Sequence, residues 1–164
     1  MNGMPMTIRP ATRDDSDAIW RILAHTIGAG ETYPLPRDMS RADALDYWFG
    51  AGHDVFVADE AGIVGTYYLR ANQRGGGAHV ANCGYMVAPD ARGRGIGRLM
   101  CEHSLDRARE RGFRAMQFNF VVSRNESAVR LWQLCGFAIV GRLPGAFQHP
   151  IHGFVDAFVM FRTL

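Results

Sequence analysis

Hydrophobic positions along the chain switch between the spacing of a helix and that of a strand. One set recurs every three or four residues and predicts a first helix: Ile19, Ile22, Leu23, Thr26 and Ile27. A second set with this spacing follows Asn125 and predicts a later helix: Ala128, Leu131, Trp132 and Cys135. Shorter apolar runs bounded by turn residues predict strands: residues 7–9, 55–58, 63–69, 78–87, 115–122, 138–140 and 155–161. The pattern therefore predicts an α/β (α+β) protein.

Turn and capping residues divide these segments. The turn at residues 59–62 joins two apolar runs and predicts a hairpin. Two further helices are predicted, one from Ser40 to about Phe49 and one from Ile96 to about Arg111. The stretch from Leu143 to Gly153, rich in proline, glycine and histidine, is expected to be a long connection. With neither linker nor repeat, residues 1–164 are expected to form one domain around a central mixed, mostly antiparallel sheet flanked by helices.

Composition and charge exclude several classes of protein. A net charge of +2 gives no reason to expect a nucleic-acid partner. No apolar stretch approaches the length of a membrane span, so no membrane partner is expected. Residues 1–6 lack the charged and apolar regions of a secretory signal, and a cytoplasmic location is expected. The 3 cysteines have no CxxC spacing and the histidines are scattered, so no metal site is expected.

The most informative segment is a turn rich in arginine and glycine between an apolar run and a helical pattern. Its alternate glycines lack Cβ atoms, so their backbone N–H groups can approach a ligand closely. The following helix adds unpaired N–H groups and its positive dipole end, and guanidinium groups pair with phosphate. The turn therefore predicts a diphosphate site, although a plain surface turn or a nucleic-acid contact would also fit it. The predicted binding residues are Arg92, Gly93, Arg94, Gly95, Ile96, Gly97 and Arg98.

Two motifs in order resemble the GCN5-related N-acetyltransferases, the GNAT superfamily. The segment from Arg92 to Gly97 is similar to the motif that holds the diphosphate of acetyl-CoA in that family. Residues 125–137 resemble its second signature, a helix that follows asparagine and ends in Gly-Phe. The similarity extends over most of residues 6–164. It implies the GNAT fold, acetyl-CoA as cosubstrate and transfer of an acetyl group to an amine.

The same resemblance implies how the cofactor arm is held. In the family, the strand before the diphosphate loop is splayed from its neighbour and pairs with the pantetheine arm through its backbone. Tyr85, Met86 and Val87 occupy that strand here. The family's asparagine at the position of Asn125 commonly contacts the arm. Asparagine is also a preferred helix N-cap, so Asn125 is expected to cap its helix in either case.

Asn82 and Asn119 lie within apolar strand runs, where asparagine is depleted. A buried amide needs a partner, which is either backbone at a strand distortion or a ligand. Residues 118–125 and several segments that follow look like the fungal acetyltransferases that detoxify proline analogues such as azetidine-2-carboxylate. That resemblance implies that Asn82 binds the substrate, that Asn119 orients the reacting groups, and that Asn125 serves the cofactor or the thioester.

The acid and the base of the reaction are less well defined. Many family members carry a tyrosine acid where Trp132 stands, and an indole cannot serve as an acid at neutral pH. Either another residue protonates the leaving group, or CoA leaves as a thiolate. The tyrosines at positions 33, 67 and 85 are candidates for such an acid. Glu31 and His79 are candidates for the general base.

Together these features predict N-acetylation of a primary or secondary amine of a small molecule, such as an amino acid or an amino-acid analogue, by direct attack. Two other functions stay open: acetylation of a protein N-terminus or lysine, and binding of acyl-CoA without turnover. The apolar final strand is also compatible with a homodimer.

Overall fold

A computed structural model describes residues 4–164; residues 1–3, part of the segment in which no leader is expected, lie outside it. Its strands are β1 (Thr7–Pro10), β2 (Asp54–Asp59), β3 (Ile63–Ala71), β4 (Val80–Val87), β5 (Ala115–Val122), β6 (Ala138–His149) and β7 (Gly153–Thr163). Its α-helices are α1 (Ser16–Ala29), α2 (Arg41–Trp48), α3 (Ile96–Glu110) and α4 (Glu126–Leu134). Within residues 4–164, no helix is both long and apolar enough to cross a membrane.

The strands form one sheet in the order β1-β2-β3-β4-β5-β7-β6. Every neighbouring pair is antiparallel except β4 and β5, which run parallel. The predicted mixed, mostly antiparallel sheet is therefore confirmed. The parallel pair is short, because β4 and β5 are in register only from Val80 and Ala81 to Ala115 and Met116. Beyond that point the two strands separate, as the family resemblance implied.

Helices cover both faces of the sheet. Successive side chains of a strand point to opposite faces. On β3, the Tyr67 hydroxyl contacts His103 of α3, while Tyr68 packs at 4.9 Å against Trp48 of α2. The helices α2 and α3 therefore lie on opposite faces. Trp132 of α4 packs on the same face as α3, where its ring lies 4.9 Å from that of Tyr85.

The expected long connection at Leu143–Gly153 is wrong. β6 continues to His149 and pairs with β7, with Phe147 in register with Val155. The proline and glycine that suggested a loop lie at a register shift between Leu143 and Phe147. Such residues are tolerated there because β6 is the edge strand of the sheet.

This outer hairpin carries half of the large hydrophobic side chains that residues 4–164 expose. We call this set the hairpin patch: Ile139, Val140, Leu143, Ile151 and Phe154. Phe154 is 74% exposed and Val140 is 60% exposed. An exposed edge strand with apolar side chains is a surface that a partner strand or subunit can cover.

Candidate active site

A groove of about 950 Å³ follows the gap between β4 and β5. One end is formed by the glycine-rich loop and the start of α4, and the other by the connection between α1 and α2. Residues on β4 and β5 line the middle. The sequence-predicted residues that line it are Glu31, Asn82, Tyr85, Met86, Val87, Arg92, Gly93, Gly95, Gly97, Arg98, Asn119 and Asn125.

The glycine-rich loop owes its shape to left-handed backbone conformations. Gly93 has φ +76° and Gly95 has φ +78°, and Gly95 is the N-cap of α3. A Cβ atom at either position would meet nothing within 4 Å, so backbone conformation, not space, favours glycine there. The first N–H groups of α3 have no partner inside the helix. The loop therefore offers backbone donors at the positive end of a helix dipole, which suits a diphosphate.

The loop's charged side chains differ in what they contact. Arg94 forms an ion pair with Glu60 of the β2–β3 turn and does not line the groove. Arg98 forms an ion pair with Glu102 one helical turn away, at 2.9 Å. Ile96 is 2% exposed and packs in the core, so only its backbone could meet a ligand.

Successive residues of β4 direct their backbone N–H and C=O groups alternately toward β3 and toward the gap. Ala88 N–H donates to the Val64 carbonyl, and Asn72 N–H donates to the Val80 carbonyl, each at 2.8 Å. In an antiparallel ladder every second residue pairs with the same neighbour, so Tyr85 and Val87 direct their backbone groups into the gap. The backbone of Met86 instead pairs with β3. The expectation that its backbone faces the arm is therefore wrong, although its side chain lines the groove.

Asn82 lies where β4 and β5 begin to separate and is 6% exposed. Its Nδ2 donates to the Gln117 carbonyl at 2.9 Å, a group that a continuing ladder would have paired. Its Oδ1 accepts from Arg70 Nε at 3.3 Å. The amide thus satisfies the backbone at the separation, one of the two partners expected for it, and it also lines the groove.

Asn119 is exposed, so the expectation of a buried amide is wrong for this residue. It lies in a register shift of β5 between Phe118 and Val121, which turns this part of the strand out of the ladder. Its Oδ1 accepts from Gln117 Nε2 at 2.9 Å, and its Nδ2 donates to Asn72 Oδ1 at 2.6 Å. Of these three amides, only Asn119 lines the groove.

Asn125 stands at the start of α4, but its side chain makes no capping hydrogen bond. Its ψ of 64° departs from the extended conformation that lets an N-cap side chain reach the helix N–H groups. Its Oδ1 instead accepts from Ser127 Oγ at 3.4 Å. The capping expectation is therefore wrong, and Asn125 lines the groove.

The aromatic residues near the gap are packed. The Trp132 ring lies 4.9 Å from that of Tyr85 and 5.0 Å from that of Phe118, which confirms the packing stripe predicted for α4. Tyr33 donates its hydroxyl to the Tyr85 carbonyl at 3.0 Å. The Tyr85 hydroxyl forms a hydrogen bond with Ser104, and the Tyr67 hydroxyl forms one with His103, both on α3. Burial raises the pKa of all three tyrosines above the usual range, so each stays protonated at neutral pH.

The two candidate bases lie in different places. Glu31 is exposed in the α1–α2 connection and is the single carboxylate among the described residues that line the groove. His79 precedes β4 and lines a second cleft of about 770 Å³, together with Arg74 and Arg111. The expectation that His79 lies near the site is therefore wrong.

Several groove residues were missed by the sequence analysis, among them Arg70 and His149. Arg70 lies near the C-terminal end of β3, opposite Asn82, and nothing in its local sequence distinguishes it. His149 is 8% exposed, and its Nδ1 accepts from the N–H groups of Ile151 and His152 at 3.1 and 3.3 Å. The alternation of Phe147 and His149 with exposed neighbours could have indicated a strand here. Within residues 4–164, no cluster of side chains has the composition of a metal site.

A loop for a diphosphate beside an open strand edge for an extended arm defines an acyltransferase that uses a CoA thioester. The chain belongs to the acetyltransferase (GNAT) family, whose model matches residues 20–137.

Similar proteins are consistent with this family. The chain is 29% identical over 153 residues to N-acetyltransferase aca1 of Schizosaccharomyces pombe, covering 82% of this chain and 73% of the relative. It is 31% identical over 146 residues to L-amino acid N-acyltransferase MnaT of Escherichia coli, covering 85% of this chain and 83% of the relative. The first similarity agrees with the resemblance to fungal proline-analogue acetyltransferases.

Two solved structures share the fold. A GCN5-related N-acetyltransferase from Kribbella flavida is 41% identical with a TM-score of 0.92, covering 97% of this chain and 98% of the other. A phosphinothricin acetyltransferase from Sinorhizobium meliloti, solved with acetyl-CoA, is 26% identical with a TM-score of 0.84, covering 98% and 89%. The chain is an acetyl-CoA-dependent N-acetyltransferase, and acetyl-CoA is its cosubstrate.

Proposed function

We propose that the chain transfers the acetyl group of acetyl-CoA to a primary or secondary amine of a small molecule, such as an amino acid or an amino-acid analogue. The observation that carries the proposal is the groove, which joins the glycine-rich loop to a polar end walled by amides and tyrosines. The relative named as an L-amino acid N-acyltransferase supports the substrate class.

Bound acetyl-CoA supplies a thioester: the acceptor nitrogen forms an amide bond to the acetyl carbon, the carbon–sulfur bond breaks, and the thiolate leaves. The chain's residues bind and orient. The loop from Arg92 to Arg98 holds the diphosphate, with Asn125 beside the arm. The backbone of Tyr85 and Val87 pairs with the arm.

Two amides that line the groove, Asn82 and Asn119, hold the acceptor. Asn82 binds it, and Asn119 orients the reacting groups through an N–H that can donate to the thioester oxygen. Glu31 takes the proton that the acceptor ammonium must lose, directly or through a water molecule. Glu31 suits this task because it is a carboxylate in the α1–α2 connection, which borders the acceptor end of the groove.

The leaving group needs no acid in this proposal. Trp132 cannot protonate a thiolate, and the buried tyrosines hold their protons tightly. A thiol with a pKa near ~8.5 is a fair leaving group as its anion. CoA therefore leaves as a thiolate and is protonated by water.

The test is release of free thiol from acetyl-CoA in the presence of individual amines, followed by mass measurement of the product. The set contains the free amino acids, azetidine-2-carboxylate and other proline analogues. Peptides with free N-termini or internal lysines are the comparison set. We expect acetylated small amines. Acetylation of the peptides alone, or binding of acetyl-CoA without any turnover, would refute the proposal in favour of one of the two other functions.

We also propose that the enzyme is a cytoplasmic homodimer. The hairpin patch, on the edge strand β6, the turn after it and the start of β7, is the surface that a second copy would cover. The cytoplasmic location is supported by the chain's cysteines, which are free and buried, as is usual for proteins of a reducing compartment: Cys83, Cys101 and Cys135.

A further inference from the structure

Arg70 stands at the polar end of the groove, directly across the β3–β4 ladder from Asn82. Its Nε donates to Asn82 Oδ1 at 3.3 Å, and Asn82 is itself fixed by its bond to the Gln117 carbonyl. The Nε contact fixes one edge of the guanidinium. Its two terminal NH₂ groups make no hydrogen bond with residues 4–164.

Arg70 also lacks a counter-ion. Within the described chain, ion pairs with carboxylates hold eight arginines: Arg9, Arg41, Arg94, Arg98, Arg107, Arg109, Arg111 and Arg142. Of the ten arginines that form no such pair, only Arg70 and Arg162 are half-buried, and Arg162 lies outside the groove and donates to the Cys135 carbonyl. A partly desolvated cation gains more from an anionic partner than an exposed one does.

The surroundings favour a small anion on the acceptor side. Tyr33, Tyr47 and Tyr68 line the same end of the groove, and the Tyr47 and Tyr68 hydroxyls lie 3.3 Å apart. The other arginines of the groove belong to the diphosphate loop or precede α4. A guanidinium is planar and pairs with a carboxylate through two parallel hydrogen bonds.

We infer that Arg70 binds the carboxylate of the acceptor and that Asn82 holds the guanidinium in place for it. The acceptor is then an α-amino or α-imino acid with a free carboxylate, not a simple amine or a peptide lysine. This inference rests on the proposed function and specifies the substrate class of that same site.

A comparison of substrates tests the inference without changing the protein. Each amino acid that is acetylated is assayed beside its carboxamide, which keeps the amine and the side chain but removes the negative charge. Hydrogen bonds to charged groups lead us to expect a kcat/KM roughly 100-fold lower for the carboxamide, which is about 2.8 kcal/mol. Most of the difference should lie in KM, because no bond to the carboxylate forms or breaks in the reaction.

Two variants test whether Arg70 is the residue that distinguishes the acid from its carboxamide. Arg70 also borders the second cleft, whereas Arg74 lines only that cleft. In Arg70→Gln, the ratio of kcat/KM for acid and carboxamide should fall from roughly 100 to near one. In the matched control Arg74→Gln the ratio should be unchanged. Thermal unfolding and acetyl-CoA affinity, expected to match wild type, show that the Arg70→Gln protein is folded.

The outcomes separate the inference from the function on which it rests. Equal turnover of acids and carboxamides by the wild-type enzyme would overturn the inference and leave small-molecule acetylation standing. A ratio that collapses in Arg74→Gln but persists in Arg70→Gln would also overturn it. Failure to acetylate any free amino acid or other small amine would instead refute the proposed function.

Discussion

Replacing Gly95 by valine should weaken acetyl-CoA binding strongly. Gly95 has φ +78° and ψ 9°, a left-handed conformation that costs an L-residue roughly 1–2 kcal/mol, and a β-branched residue more. A Cβ atom there meets nothing within 4 Å, so the whole cost is backbone strain. The loop can relieve this strain only by rotating φ to negative values. That rotation turns the N–H groups at the start of α3 away from the groove.

The loss in affinity follows from those N–H groups. Binding requires them in their original direction, so valine must be forced back into the left-handed conformation at a cost of roughly 1–2 kcal/mol, and more for a β-branched residue. This corresponds to an acetyl-CoA affinity about 10-fold lower or more. Arg94→Ala should matter far less. Arg94 is already paired with Glu60 in a solvent-accessible contact, and such pairs contribute about 0–1 kcal/mol.

Titration calorimetry with acetyl-CoA measures both effects, and Gly112→Val is the matched control. Gly112 has φ +81°, has no atom within 4 Å of a Cβ position, and lies after the other end of α3, away from the groove. It should lose similar stability and keep its affinity. Wild-type affinity in Gly95→Val, or an equal loss in Gly112→Val, would refute the assignment of the loop.

Three further predictions concern other sites. Trp132→Phe should keep most of its turnover, since the indole is packed and is no acid; a thousandfold loss of kcat in a folded variant with intact cofactor binding would contradict this. Asn119→Ala should lower kcat by roughly 10² to 10³ with little change in acetyl-CoA affinity, and a variant that is only destabilised but kinetically normal would disprove its role. The pKa of Asp15 is lowered to about 2, chiefly by its hydrogen bond to Arg9, so its ionised form stabilises the folded state. The difference in unfolding free energy between wild type and Asp15→Asn should include about 2 kcal/mol above pH 4 that disappears as pH falls toward 2; a difference independent of pH would exclude this account.

Local patterns predicted the helices well. Ile19, Leu23 and the other members of the first stripe are buried as expected, because a helix brings residues three and four apart together whatever surrounds it. The glycine-rich loop was predicted for the same reason, since its conformation depends on its own glycines and on the start of α3.

Contacts between distant segments were not predictable. Arg70 and Asn82 meet only because β3 and β4 pair in one register, and a shift by one residue would send each to the other face. Arg94 forms an ion pair with Glu60, which lies 34 residues earlier in the chain, and no local sequence pattern predicts such a contact. Pro144 suggested a loop because proline is excluded from central strands. It is tolerated in an edge strand such as β6, and the local sequence does not show which strand is at the edge.

The dimer proposed through the hairpin patch would make protein concentration a variable in experiments on this enzyme. If a second copy covers the patch, association and folding are linked by mass action, and the unfolding temperature rises with protein concentration. Each tenfold dilution removes about 1.4 kcal/mol per mole of dimer. Kinetic assays at nanomolar enzyme and calorimetry at micromolar enzyme then sample different populations of subunits. A change in specific activity on dilution would measure the strength of that association directly.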